Sequence, residues 1–119
     1  MATRLYGIAN CDSVKKARAW LHAEGSAYEF HDFKCTGLAE ALLDHWIAAV
    51  GSDRLLNRKG TTWRRLDEAA RASAADAAGA RSQMLGQPSL VKRPVVQWPG
   101  GEVSVGFDPA RFAELNRRD

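Results

Sequence analysis

The order of elements predicts an α/β fold, a four-stranded mixed sheet flanked by helices with a helical insertion before the last β-hairpin. Three observations predict it. Two short apolar segments, residues 3–8 and 27–33, bracket one amphipathic helix, a unit that gives parallel strands through a right-handed crossover. Residues 95–98 and 102–106 flank Pro99-Gly100-Gly101, which reads as a hairpin adding antiparallel strands. The stretch between, about 38–88, carries helical patterns.

Each element has a local reason. Residues 3–8 alternate loosely around Leu5, Tyr6 and Ile8, as a strand does. Asn10-Cys11-Asp12-Ser13 is rich in residues that cap helix starts. The helix behind it runs to about Glu24, with Val14, Ala17 and Leu21 inward and Gly25 as its stop. Tyr28, Phe30 and Phe33 mark the second strand. Leu38, Leu42, Trp46 and Val50 recur every four residues, a second amphipathic helix. Arg54–Asn57 adds a short helical turn, and a third helical region spans roughly 67–86. Its Ala-rich part, residues 69–80, favours helix over disorder. Asp108-Pro109 is a cap followed by proline at the first helical position. The last helix then runs to about Asn116, with Phe112 and Leu115 inward.

The chain has 119 residues, 45% hydrophobic and 26% charged. That is a single domain, residues 1–119, of ordinary globular composition. It excludes a disordered tail, a collagen-like rod and a disulfide scaffold. No run approaches the ~18 apolar residues of a membrane-spanning helix. The first residues read as a strand and not as a secretory signal. Two cysteines without an export signal fit a reducing, cytoplasmic setting. The net charge of +3 lacks the strong basic stripe of a nucleic-acid binder. Only Arg54 to Arg65, with Arg54, Arg58, Lys59, Arg64 and Arg65 and no acid among them, forms a basic run. It is a solvated face or an anion site. No large apolar stripe is left over, so a monomer is expected.

Cys11 is the first chemical candidate. It ends the first strand and opens the first helix, where backbone N–H groups and the helix dipole favour negative charge. A thiol there is acidified and nucleophilic. Lys15 and Lys16 push the same way, and Asp12 opposes them. The competing reading is a small buried apolar residue. Ser13 and Val14 follow it, so there is no C-x-x-C pair. Ala17 stands where a phosphatase phosphate loop would need arginine. A single thiol needs a second thiol from elsewhere to finish a redox cycle. Cys35, after the second strand, is either a resolving or an incidental thiol. No metal is expected: His31 and Cys35 form one half-site without a second close pair, and His22 and His45 read as surface residues. Arg93-Pro94 precedes a short strand, where a cis bond is possible and Arg93 could aim its donors at an anion. Leu56-Asn57-Arg58-Lys59-Gly60 is a third candidate.

Five blocks converge on a family. Tyr6-Gly7-Ile8-Ala9-Asn10-Cys11-Asp12, Lys15-Lys16-Ala17-Arg18, Leu55-Leu56-Asn57-Arg58, Gly60-Thr61-Thr62-Trp63 and Pro88-Ser89-Leu90-Val91-Lys92-Arg93-Pro94-Val95 resemble the glutaredoxin-type arsenate reductase (ArsC) family. They are most similar to the branch containing YffB and the Spx regulators. The resemblance runs from about residue 4 to residue 115. It implies a thioredoxin-like fold and a redox-active Cys11. It also implies that Arg93 is the arginine preceding a cis-proline, Pro94. A basic residue of the Leu-Leu-Asn-Arg block, Arg58, would complete the anion site, with Asn57 competing for that place. With Asn10 and Lys15 beside the cysteine, these are the expected substrate-binding residues.

One departure from the family pattern carries weight. Gly106 stands about where arsenate reductases of this type carry another arginine. An arsenate adduct would lose a charge partner there. The resemblance therefore implies glutathione-dependent thiol-disulfide reduction by a single cysteine, with glutathione or a glutathionylated or disulfide substrate as partner. Glutathione is the expected co-substrate, and no bound cofactor is expected. The alternatives are an Spx-like regulator of RNA polymerase, contacting through Arg64, Arg65 and Arg71, and an arsenate reductase.

Overall fold

The computed structural model describes residues 3–116. The chain forms two compact units. One joins the segments up to Thr36 and from Arg93 onward; the other is Gly37–Lys92.

The first unit holds the sheet. Strand β1 (Thr3–Gly7) leads into helix α1 (Asp12–Ala23) and strand β2 (Tyr28–Asp32). Strands β1 and β2 pair in parallel, Leu5 opposite Phe30. The hairpin strands are β3 (Val95–Gln97) and β4 (Val103–Val105), and β3 runs antiparallel to both β1 and β4. The order β2-β1-β3-β4 is the expected four-stranded mixed sheet. Its βαβ start, antiparallel hairpin and closing helix are a thioredoxin-like arrangement. The hairpin is closed by Trp98, whose N–H donates to the Glu102 carbonyl at 2.9 Å. Helix α8 (Pro109–Asn116) starts as its sequence implies, Asp108 accepting the Ala110 N–H at 3.1 Å.

The core of this unit lies on the sheet face that presents Leu5 and Val96. They pack with Val14, Ala17 and Leu21 of α1 and with Phe112 and Leu115 of α8. Phe112 is fully buried and meets three aromatic rings edge-on. The ring centroids of Trp20, Trp98 and Phe107 lie 5.5, 5.0 and 5.0 Å away, the T-shaped geometry that aromatic quadrupoles favour.

Trp98 carries a buried polar handle in that group. Its buried indole Nε1–H donates to Ser104 Oγ at 2.9 Å. Ser104→Ala should therefore strand a buried donor and destabilise by about 1–3 kcal/mol. Denaturant unfolding checks this, and Ser104→Thr, which keeps the hydroxyl, should recover most of the loss.

The second unit is helical. It contains α3 (Glu40–Val50), α4 (Ser52–Leu55), α5 (Thr61–Arg65), α6 (Glu68–Ser73), α7 (Ala77–Gly86) and a 3-10 turn at Pro88–Leu90. Leu43, Trp46, Leu55, Leu56, Met84, Leu90 and Val91 are its most buried side chains. A short bridge pairs Leu56 with Val91, and the Lys92 N–H donates to the Leu55 carbonyl at 2.7 Å. Arg81 of α7 ties to α3, donating to Asp44 at 2.6 Å and to Glu40 at 3.0 Å.

Four local expectations are corrected. Phe33 is not strand; it opens the four-residue helix α2 (Phe33–Thr36) and is buried there. The inner face of α3 is Leu43 and Trp46, with Leu42 and Val50 only half-buried, because helices bury neighbours three and four apart. The short turn lies at Ser52–Leu55 and not at Arg54–Asn57. The region 67–86 is two helices. Asp76 caps the second, accepting the Gly79 N–H at 2.7 Å, and a side chain that offers the backbone this bond competes with a continuous helix.

Candidate active site

The site is built at the corner where β1 meets α1. Gly7 ends the strand, and a Cβ there would lie 2.6 Å from Val14 Cγ2. Only glycine lets the first turn of α1 approach this closely. Cys11 is then the residue that caps the helix, in extended conformation (φ −143°, ψ 126°). Its carbonyl accepts the Lys15 N–H at 2.9 Å, the first bond of the helix.

The sulfur is half-exposed and has no full capping hydrogen bond, yet its surroundings favour the thiolate. Burial pushes the thiol pKa up. The N–H of Val14, the guanidinium of Arg93, by hydrogen bond and by charge, and the N–H of Ser13 bring it below the ordinary thiol range. The positive groups at the sulfur are thus the helix start and Arg93. Lys15 and Lys16 have exposed side chains on α1.

Arg93 is carried to this corner by the start of β3. The Arg93–Pro94 peptide is cis, as the sequence allowed. Pro94 is buried, and its carbonyl accepts the Gly106 N–H at 2.8 Å. The turn beside the sulfur is therefore tied to the end of β4. Gly106 has φ +86°, a left-handed conformation that costs any residue with a Cβ roughly 1–2 kcal/mol. An arginine at this place would be strained.

Sequence reasoning missed Asp32. This carboxylate ends β2. Its Oδ2 accepts the Ala9 N–H at 3.1 Å, and its Oδ1 accepts the N–H groups of Lys34 at 2.9 Å and Cys35 at 3.3 Å. The Ala9 N–H does most to hold it below the usual carboxylate range; burial opposes this, and the Lys34 and Cys35 N–H groups and the Cys35 thiol add to the lowering. The available signal was an Asp directly before a short helix, a capping pattern; its reach back to Ala9 had none.

The other expected residues fall as follows. Asn10 is exposed in the loop before Cys11. Cys35 is exposed in α2. His31 stacks on Tyr6, with ring centroids 4.8 Å apart. His22 and His45 are exposed. Among the described residues no cluster of three or more His, Cys, Asp or Glu side chains is arranged to hold a metal ion. None of the described helices is long and apolar enough to cross a membrane. Arg58 belongs to the helical unit, where it pairs with Asp53 at 3.2 Å and lies over the Trp63 ring.

A thioredoxin-like sheet with an acidified cysteine at the first helix start and a cis-proline beside it defines a class of thiol-redox folds. Residues 6–115 match the ArsC family, and the chain belongs to it. An uncharacterized protein of Haemophilus influenzae is 37% identical over 91% of this chain and 93% of its own length. The structure of a protein named YffB is 47% identical, covers 96% of this chain and 98% of its own, and superposes with a TM-score of 0.89. An arsenate reductase (ArsC) related protein from Brucella melitensis is 48% identical over all of this chain and 97% of its own, with a TM-score of 0.76.

Proposed function

We propose that the protein is a glutathione-dependent thiol-disulfide reductase whose nucleophile is Cys11. The supporting observation is a half-exposed sulfur, held by a helix start and Arg93 below the ordinary thiol range. The Cys11 thiolate attacks the glutathione-side sulfur of a mixed disulfide. That S–S bond breaks, the substrate thiolate leaves and takes a proton from water, and glutathione stays on Cys11. A second glutathione thiolate then attacks the glutathionyl sulfur, releases oxidised glutathione and restores Cys11. The net change reduces one mixed disulfide and oxidises one glutathione. The rate depends on the thiolate fraction at Cys11, on a leaving thiol of low pKa and on an open approach. Arg93 stabilises the attacking thiolate, and the buried cis-proline fixes the turn that aims it. In this reading Asn10 and Lys15 line the approach.

The test is turnover of a glutathionylated peptide by glutathione, followed as oxidised glutathione. Cys11→Ser should lose turnover and Cys35→Ser should keep it. Full activity in Cys11→Ser would overturn the reading. Arsenate reduction is the second reading, favoured by the relation to the Brucella protein. The strained place an arginine would take at Gly106 weighs against it. It gains the first rank if arsenate is consumed, with glutathione and glutaredoxin as reductants, faster than the mixed disulfide.

A further inference from the structure

Asp32 stands in an unusual place for a residue with so many bonds. It has one oxygen on each of two segments. Oδ1 caps the start of α2 through the Lys34 and Cys35 N–H groups, and Oδ2 takes the Ala9 N–H. Ala9 lies two residues before Cys11, in the loop between β1 and α1. The cap arm is local and would serve α2 alone. The Ala9 arm reaches from β2 to the neighbouring strand's exit and does nothing for α2.

We infer that Asp32 is a positioning residue for Cys11, its carboxylate fixing the loop that delivers the sulfur to the helix start and to Arg93. The inference rests on Cys11 being the nucleophile. Asp32 acts through geometry, because a nearby negative charge by itself would disfavour the thiolate. The groups acting on the sulfur are the Val14 and Ser13 N–H groups and Arg93. Besides the amides, the Cys35 thiol also bonds to the carboxylate.

Asp32→Asn separates the two arms. Asparagine caps helices about as well as aspartate, so its amide oxygen keeps the Lys34 and Cys35 bonds. Its NH2 group then faces the Ala9 N–H, donor against donor, and that arm is lost. The measurement is the rate of Cys11 alkylation against pH in a Cys35→Ser background, where the serine hydroxyl can still donate to residue 32. Asp32→Asn should react roughly 2–10-fold more slowly at neutral pH, the range one ordinary hydrogen bond covers, with its midpoint moved to higher pH. Its melting temperature should fall by only a few degrees, the scale of one exposed hydrogen bond. A residue that merely caps α2 would leave the alkylation curve unchanged, and superimposed curves overturn the inference.

A second measurement needs no variant. In the intact protein the Ala9 amide shift, read by NMR, should titrate at acid pH together with the Asp32 carboxyl. An Ala9 amide indifferent to that titration also overturns it. The two readings fail separately. A parent thiol that titrates like a free cysteine sinks the reductase proposal, whatever Ala9 does. An acidified parent thiol that Asp32→Asn leaves unmoved sinks only the role of Asp32.

Discussion

Arg93→Met should slow Cys11 alkylation at neutral pH by about tenfold, the scale of one hydrogen bond to a charged group partly screened by water. Its reactive range should move to higher pH. The reason is a balance at the sulfur. Burial pushes the thiol up, and Val14, Arg93 and Ser13 together bring it down. Removing the guanidinium leaves burial opposed by two amide groups. Methionine keeps most of the apolar stem, so the change is in charge and donors more than in packing. Arg93→Lys keeps the charge and loses the planar fork, and should fall between the two. A curve for Arg93→Met that overlies the parent's would remove Arg93 from the site.

The same balance has a consequence for stability. The Cys11 pKa is lower folded than unfolded, so between those two values the folded chain binds fewer protons. Stability therefore rises with pH across that window. The contribution is full above the unfolded thiol pKa and is lost as pH falls through the folded one. Cys11→Ser should flatten this slope, which urea titrations at successive pH values read directly.

How far the sequence carries depends on the range of each interaction. The succession of elements along the chain and α1 were legible because alternation, capping and the Gly25 stop are written within a few residues. The hairpin turn was legible for the same reason. The break at Asp76 was also written locally, as a capping residue inside an Ala-rich run, but helix propensity masks it. Leu43 was hidden by a four-residue spacing that ran beside the true face. The site is different in kind. Cys11 and Arg93-Pro94 were visible singly as a helix-start thiol and a pre-strand proline. Their meeting depends on β3 pairing with β1, which no local pattern states. Resemblance to a family put the two in one site without stating the pairing that brings them there. It supplied nothing for Asp32, whose bond to Ala9 crosses from β2 to the loop after β1.

Phe112→Ala should destabilise the protein by about 3–5 kcal/mol, the usual cost of emptying a buried aromatic site. Whole-domain stabilities are only about 5–15 kcal/mol, so the melting temperature should fall by roughly 10 °C or more. The ring is fully buried and is the common partner of Trp20, Trp98 and Phe107. It therefore joins α1, the hairpin and the turn before α8 at one point. Deleting it removes three edge-to-face contacts and leaves a void that these rings cannot fill without leaving their rotamers. Phe112→Leu keeps most of the volume and should cost less. Cys11 packs against the edge of the same cluster, yet the groups that stabilise its thiolate are the helix start and Arg93. Well below its melting point, Phe112→Ala should thus keep the parent's pH midpoint for Cys11 alkylation while unfolding at lower denaturant. A midpoint that moved with the stability loss would show that the core itself sets the reactivity of the sulfur.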